Sequence, residues 1–284
     1  MSKVVITGST KIFAILADPV IHVKTPQGIN DLLRRRGYDG VMIPIHVQSR
    51  DLSTVLDGIR NWKNLAGFIV TVPHKTSIIP LLDEVTEAAR IVGAVNAVRR
   101  DDGGRLIGHI LDGAGFVAGL RQEGISIEGR SVYLAGAGGA ASAIAFALAQ
   151  AGVARLTIAN RTLERCSDLV ARLRQVHHDV RSEVGSIDPA GHDIVVNATS
   201  MGLKENDPFP LDVARLMPNQ IVAEIIMQPE VTPLLAAAAK AGCRTHPGWP
   251  MLQCQLKLMA DWMGANPERV DDSAVPASRK RENI

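Results

Sequence analysis

The clearest indication of the fold is the stretch VYLAGAGGAASAIAFALA, residues 132–149. An apolar run typical of a buried strand leads directly into Gly136, Gly138 and Ala141, the three small positions of the pattern G-x-G-x-x-G/A. Gly136 permits a tight turn, and Gly138 lets the backbone approach a pyrophosphate. The alanine-rich run that follows is typical of a helix, so the stretch predicts the strand–turn–helix of a dinucleotide-binding domain. The alternative is a glycine-rich turn that binds no ligand.

The backbone N–H groups of this turn are expected to face the phosphates of the ligand, because a helix N-terminus attracts anions. The predicted contacts come from Gly136, Ala137, Gly138, Gly139 and Ala140.

The end of the next strand predicts which nicotinamide cofactor binds. That strand is predicted at residues 155–159, and Asn160, Arg161, Thr162 and Arg165 follow it. An NAD site commonly has Asp or Glu here, which accepts hydrogen bonds from the ribose hydroxyls. This chain has no carboxylate there to repel a 2′-phosphate, and it has two guanidinium groups to hold one. The pattern favours NADP. The alternatives are that NAD binds, or that Thr162 caps the next helix beside two solvated arginines.

Apolar runs alternate with helix-like segments along almost the whole chain, which is the pattern of an α/β protein. We predict an N-terminal α/β domain over residues 1–112 and a C-terminal Rossmann-type domain over residues 113–248, hinged near residues 112–115. A mobile tail is predicted at residues 271–284. The predicted strands are residues 12–16, 41–45, 67–72, 94–99, 106–111, 132–135, 155–159, 180–184, 193–196 and 221–226, with a hairpin turn at Asp102-Gly103. The predicted helices are residues 25–36, 52–60, 84–91, 140–151, 234–241 and 250–263, with Thr25 and Thr232 as N-caps.

The composition excludes several classes of function. The 284 residues are 46% hydrophobic and 21% charged, as in a globular protein, and the net charge of +2 gives no electrostatic reason for nucleic-acid binding. Cys243 and His246 are spaced like two metal ligands, but no second pair completes a zinc site. No apolar run approaches the roughly 20 residues of a membrane span, and residues 1–16 lack a signal-peptide core. We therefore expect a cytoplasmic protein without a metal, nucleic-acid or membrane partner.

One acid stands out in the stretch GHILDGAGF, residues 108–116. Asp112 follows two apolar residues and precedes a glycine, which by itself is typical of a solvated turn. It also lies where the first predicted domain passes into the second, and ligands favour the cleft between domains. The residues alone leave both interpretations open.

Eight motifs in order give the chain a resemblance to the shikimate/quinate dehydrogenase family over nearly its whole length. They are GFIVTVPHK (67–75), GAVNAV (93–98), GHILDGAG (108–115), AGAGGAAS (135–142), ANRTLER (159–165), NATSMG (197–202), VTPLL (231–235) and GWPMLQCQ (248–255). The resemblance implies an N-terminal domain that binds a polyhydroxy ring acid and a C-terminal domain that binds the nicotinamide cofactor. It also implies that the last helix, about residues 249–270, packs back onto the first domain.

The resemblance implies a role for each matching residue. Lys75 and Asp112 are expected to face the hydroxyl that is oxidised, where a nearby side chain must take its proton. Which of the two carries the proton is left open, because desolvation lowers the pKa of a lysine and a nearby aspartate raises it. Further expected substrate contacts are Thr25, Thr71, Asn96 and Gln255. Further expected cofactor contacts are Asn197, Thr199, Met201 and Gly248.

The chain departs from the family pattern at several polar positions. The family usually reads H-S-x-S-P near its start, where two serine hydroxyls hold the substrate carboxylate, whereas this chain has Val23 and Thr25 there. Leu111 stands where the family has a threonine, and Met227 stands where it has a tyrosine. Each lost hydrogen bond to a carboxylate costs roughly 1.5–3 kcal/mol. We therefore expect retained catalytic groups and an altered substrate pocket.

The expected function is reversible NAD(P)-dependent oxidation of a ring hydroxyl of shikimate, quinate or a related cyclic hydroxy acid. In ring position this resembles a shikimate 3-dehydrogenase. The alternative is a catalytically silent sensor that binds the nicotinamide cofactor or a metabolite. Assembly as a homodimer is left open.

Overall fold

The computed structural model describes residues 5–204 and 206–266, which form an α/β fold with two six-stranded sheets. The first sheet contains β1 (Lys11–Ala17), β2 (Gly40–His46), β3 (Leu65–Val70), β4 (Glu84–Val85), β5 (Ala97–Arg100) and β6 (Leu106–His109), in the order β2-β1-β3-β5-β6-β4. Strands β1, β2 and β3 are parallel, whereas β5 runs antiparallel to β3 and β6. The predicted hairpin at Asp102-Gly103 is the β5–β6 connection.

The helices of the N-terminal half, which contains the first sheet, lie where they are predicted, with two corrections. Helices α1 (Thr25–Arg35) and α2 (Leu52–Ile59) lie where they were predicted. The predicted helix at residues 84–91 is wrong at its start: residues 84–85 pair with β6, and Thr86 caps α3 (Glu87–Val92) by accepting a hydrogen bond from the backbone N–H of Ala89. The predicted cap at Thr25 is also wrong. Thr25 is the first helical residue, Lys24 precedes it, and no side chain caps α1.

The second sheet is entirely parallel and has the doubly wound order of a Rossmann-type domain. Its strands are β7 (Ser131–Ala135), β8 (Arg155–Ala159), β9 (Arg181–Val184), β10 (Ile194–Asn197), β11 (Ile221–Glu224) and β12 (Arg244–His246), in the order β12-β11-β10-β7-β8-β9. Helices α5 (Gly139–Gln150), α6 (Leu163–Val176) and α7 (Pro233–Lys240) connect them. The order reverses beside β7, where ligands bind in such sheets. The predicted fold class is confirmed, although β12 was not predicted.

Two helices join the halves. Residues 112–115, where the hinge is predicted, form the first turn of α4 (Asp112–Gln122), and α8 (Trp249–Trp262) packs along α4. The hinge itself stays a prediction. The glycines of α4 allow this contact: a Cβ on Gly113 would lie 2.0 Å from the Ala143 carbonyl oxygen in α5, and one on Gly115 would lie 2.8 Å from Cβ of Gln255 in α8. Glycines that resemble a turn signal therefore serve close helix packing.

The buried core is continuous across the two halves. One cluster runs from β1 and β3 through α4 to the second sheet, and includes Phe68, Phe116 and Leu134. A second cluster fills the space between the first sheet, α1 and α8. No helix among the residues that the structure describes combines the length and apolar composition needed to cross a membrane. The domain boundaries near residues 112 and 248 stay predictions, and the tail at 271–284 lies outside the described residues.

Candidate active site

Three polar side chains from separate parts of the chain meet at Asp112, the first residue of α4. Its Oδ2 atom lies 2.6 Å from Nζ of Lys75, which follows β3, and its Oδ1 atom accepts a hydrogen bond of 2.9 Å from Nδ2 of Asn96. Nε2 of Gln255 on α8 donates to the same Oδ1 atom. The acid that resembled a turn residue is 4% exposed and accepts three side-chain hydrogen bonds. We call Lys75, Asn96, Asp112 and Gln255 the Asp112 cluster.

The Asp112 cluster is held from behind by the backbone. Oδ1 of Asn96 accepts a hydrogen bond of 2.9 Å from the backbone N–H of Leu111, which fixes the Asn96 amide so that its NH₂ group points at Asp112. Asn96 is 1% exposed and Gln255 is 8% exposed, whereas the Lys75 side chain keeps 21% of its surface accessible. Burial of a carboxylate is costly unless it is hydrogen-bonded, so the donors around Asp112 hold its side chain in one position. The lysine is therefore the most accessible member of the cluster.

That open space is a cavity of about 200 Å³ between the two sheets. The polar lining consists of Thr25, Thr71, Lys75, Asn96, Asp112 and Gln255. The apolar lining consists of Ile15, Ile69, Val70, Ala140, Ile225, Met227, Met251, Leu252 and Met259, and Gly248 completes the wall. Thr25 does not cap α1, and its hydroxyl makes no hydrogen bond to another of the described residues. Thr25 is therefore a lining residue with a hydroxyl that is not engaged in the fold.

The structure brings most of the predicted substrate residues to this cavity, but two lie elsewhere. Val23 and Leu111 do not line it. Both pack in the apolar cluster between the first sheet, α1 and α8, where Leu111 is 6% exposed. Ile15, Leu252 and Met259 do line it and were not predicted. Periodicity marks these three as buried, but nothing in the sequence separates a core position from a cavity wall.

The turn after β7 has the shape that a dinucleotide requires. Gly136 has φ of +121°, and a Cβ there would lie 2.9 Å from the Ala198 carbonyl oxygen. A Cβ on Gly138 would meet nothing within 4 Å, so the backbone faces open space. No side chain caps α5, which leaves its first N–H groups free for an anion. These residues fit the pyrophosphate of a dinucleotide.

The residues predicted to select the cofactor lie at the end of β8. Arg161 and Arg165 are exposed, and Asn160 donates a hydrogen bond of 3.3 Å to the Thr162 carbonyl oxygen. Thr162 stands at the N-cap position of α6 but makes no side-chain cap bond. Both guanidinium groups are thus accessible beside the predicted ribose position.

A buried network fixes the loop after β10, which the motif NATSMG predicted as a cofactor border. Oδ1 of Asn197 accepts hydrogen bonds from Thr199, and Nδ2 of Asn197 donates to the Met201 carbonyl oxygen at 3.0 Å. The same Nδ2 atom donates to Oε1 of Glu224 at 2.7 Å. Glu224 is fully buried, and burial raises its pKa above the usual range. Sequence reasoning missed Glu224, because one acid within an apolar strand carries no pattern.

Comparison with known proteins decides the family. The model of the shikimate dehydrogenase substrate binding domain matches residues 15–98, and that of shikimate/quinate 5-dehydrogenase matches residues 119–203. The shikimate dehydrogenase (NADP(+)) of Geobacter metallireducens is 38% identical over 271 residues, which are 92% of this chain and 94% of that protein. The chain belongs to the shikimate/quinate dehydrogenase family.

Two solved structures show the same fold as this chain. A shikimate 5-dehydrogenase from Listeria monocytogenes, in complex with shikimate and NAD, is 34% identical with a TM-score of 0.84, covering 90% of this chain and 93% of that one. The ligand-free 5-ketofructose reductase of Gluconobacter sp. strain CHM43 is 32% identical with a TM-score of 0.83, covering 90% and 94%.

Membership of the shikimate/quinate dehydrogenase family makes the chain a dehydrogenase that acts on a CH–OH group, and it does not favour the silent-sensor alternative. The expected ring position is imprecise, because the family model is described as a 5-dehydrogenase rather than a 3-dehydrogenase.

Proposed function

We propose that this chain oxidises a ring hydroxyl of shikimate, quinate or a related cyclic hydroxy acid to the ketone, reversibly and with NADP. One observation carries the proposal: Nζ of Lys75 lies 2.6 Å from a buried carboxylate, and both line a cavity that Ala140, in the first turn of α5, also lines. The proton-transfer groups and the start of the dinucleotide helix thus border the same space.

The chain's own residues handle the proton. When bound, a nicotinamide would supply the hydride acceptor or donor, so the hydroxyl proton has to leave as the ketone forms. Lys75 is the most accessible member of the Asp112 cluster, so in the proposed complex the substrate hydroxyl lies against its Nζ atom. Asp112 holds Nζ in position, with Asn96 and Gln255 satisfying the other carboxylate oxygen. The proton passes to the Lys75–Asp112 pair, which we treat as a unit.

Two observations support NADP over NAD. Arg161 and Arg165 are exposed at the end of β8, and no acidic side chain occupies positions 160–162. The relative from Geobacter metallireducens is named for NADP(+), whereas the Listeria structure contains NAD, so the test includes both cofactors.

The cavity wall favours a second candidate substrate class, a neutral polyhydroxylated ketone. Lys75 and Asp112 are the only charged residues of the described lining, and they pair with each other. Ile15, Ile69 and Met259 form an apolar wall with no cation for a carboxylate. The likeness to a 5-ketofructose reductase supports this alternative, since that enzyme's named substrate is a neutral sugar derivative.

A spectrophotometric screen separates these candidates. NADP⁺ and NAD⁺ reduction is measured with shikimate and quinate, and NADPH and NADH oxidation with the ring ketones formed from these two acids and with 5-ketofructose. We expect turnover with NADP(H) to exceed that with NAD(H). Preference for the ring acids supports the first candidate, and preference for 5-ketofructose supports the second. No turnover with any pair would contradict both. Cytoplasmic location and a homodimer stay predictions.

A further inference from the structure

We propose that Glu224 is a positioning residue for the cofactor: through Asn197 and Thr232 it fixes the loop 198–202 against the dinucleotide turn. The inference rests on the proposed cofactor site and adds to it a residue that touches no ligand. Glu224 is the last residue of β11, and Asn197, its direct neighbour in the sheet, is the last residue of β10.

Each oxygen of Glu224 has one assigned donor. Oε1 accepts 2.7 Å from Nδ2 of Asn197, and Oε2 accepts 2.6 Å from the hydroxyl of Thr232, which also caps α7. All three side chains are fully buried. The carboxylate therefore ties together two strand ends and the start of a helix, where no water is available to replace a lost partner.

The network extends from Glu224 to the loop itself. With its NH₂ group held by Glu224, Asn197 turns its carbonyl oxygen to the backbone N–H and hydroxyl of Thr199, at 3.0 and 2.7 Å. The Thr199 hydroxyl in turn accepts from the backbone N–H of Met201 at 3.0 Å. One side-chain orientation at position 197 thus sets the path of residues 198–201.

The loop 198–202 packs against the dinucleotide turn at Gly136. A Cβ added to Gly136 would lie 2.9 Å from the Ala198 carbonyl oxygen, so the loop and the turn are in close contact and a displaced loop would disturb the turn. On the other side of Glu224, the chain continues to Ile225 and Met227, which line the substrate cavity. Glu224 therefore lies next to both the loop that borders the proposed cofactor site and the residues that line the substrate cavity.

The test is direct cofactor binding without substrate, measured by NADPH fluorescence titration. We expect Glu224→Leu to raise the Kd of NADPH about tenfold or more, because Asn197 loses the acceptor that orients it. Glu224→Gln keeps a carbonyl oxygen for Asn197 and is expected to stay within about threefold of the wild type. Steady-state kinetics should show the same rise in the KM for NADP⁺, with a smaller change in the KM for substrate.

A matched control separates positioning from stability. Gln220 lies just before β11 at its opposite end and is also buried, with Nε2 donating to the carbonyl oxygens of Pro189 and His192. Gln220→Leu should lower the melting temperature and leave the Kd unchanged. Should Glu224→Leu not fold, Thr232→Val against Thr232→Ser tests the same network, with the weaker binding expected for Val.

Three results would overturn the inference. The first is an unchanged Kd of NADPH in Glu224→Leu. The second, if the Thr232 variants are used, is an unchanged Kd in Thr232→Val. The third is a rise of the Kd in Gln220→Leu as large as that in Glu224→Leu. Failure of the wild type to bind either NADPH or NADH would instead overturn the proposed cofactor site together with this inference.

Discussion

At the scale of single residues, Asp112 shows how burial assigns a role that its sequence neighbours conceal. The glycine beside it is typical of a turn, yet the carboxylate is buried and accepts from Lys75, Asn96 and Gln255. The positions of Lys75 and Asp112 could be predicted because their motifs match a family. The cavity positions of Ile15 and Met259 could not be predicted, because these residues come from distant parts of the chain and only the fold places them at the cavity.

The Asp112→Asn variant tests the carboxylate. The amide would turn its own NH₂ group towards donors, so we expect kcat to fall about 100-fold or more and the free energy of unfolding to fall by about 1–3 kcal/mol. Steady-state kinetics and urea unfolding measure the two effects. Asp261→Asn is the control: that carboxylate forms a half-exposed ion pair with Arg36, and its loss should change stability by less than about 1 kcal/mol. Wild-type kcat in Asp112→Asn would contradict the assigned role.

His246 gives the protein a predicted pH dependence. Its ring is 1% exposed, its Nε2 atom has no partner among the described residues, and burial lowers its pKa below the usual 6.5. The unfolded chain therefore binds a proton that the folded chain resists, so stability is complete above about pH 6.5 and is lost as the pH falls through and below that value.

We expect the melting temperature to fall from about pH 7.5 to about pH 5.5, and to fall less in His246→Phe. One histidine contributes at most about 1.4 kcal/mol per pH unit to the slope. Thermal unfolding measured across this range checks it, with the exposed His178→Gln as control. Identical slopes in wild type and His246→Phe would refute the prediction.

At the scale of elements, the sequence patterns predicted the second sheet better than the connection between the halves. The strands β7, β8, β10 and β11 have short apolar runs bounded by turn residues, so their positions follow from local pattern. Helix α4 does not, because Gly113, Gly115 and Gly119 resemble loop residues. Their physical reason is non-local: α5 and α8 approach too closely for any side chain.

Gly113→Ala tests that reason. The added Cβ would lie 2.0 Å from the Ala143 carbonyl oxygen, so α4 and α5 must separate, with an expected loss of about 1–3 kcal/mol. Because Asp112 begins the same helix, kcat should also fall. Gly58→Ala is the matched helical control: nothing lies within 4 Å of its Cβ position, and stability should stay equal or rise by up to about 1 kcal/mol. Urea unfolding compares them, and equal stability changes in the two variants would contradict the packing argument.

At the scale of the whole molecule, one arginine joins the halves at a distance from the cavity. Nη1 of Arg172 on α6 donates to the carbonyl oxygens of Ile91 and Val92 at the end of α3, each at 3.1 Å. The guanidinium carbon also lies 5.9 Å from the centre of the Phe146 ring. A charged donor that satisfies helix-end carbonyls of the other half couples the two.

We expect Arg172→Met to increase the amide hydrogen-exchange rates of residues 87–92 about tenfold, since a bond to a charged group contributes about 1.5–3 kcal/mol. Arg174→Met is the control on the same helix, because among the described residues Arg174 donates to the Ser182 carbonyl oxygen, which lies within its own half. Hydrogen exchange read by mass spectrometry distinguishes the two variants. Unchanged protection of residues 87–92 in Arg172→Met would show that the halves are coupled elsewhere.

The assigned roles of Lys75 and Asp112 are tested by measuring kcat and NADPH affinity together in Lys75→Met, with the substrate that the screen identifies. The Asp112 cluster is assigned to the proton and the turn after β7 to the cofactor, so the two readouts should separate. We expect a kcat about 10²–10⁴-fold below wild type, with the Kd of NADPH unchanged. A kcat near the wild-type value in a correctly folded Lys75→Met would contradict the central claim that this lysine and its aspartate handle the proton.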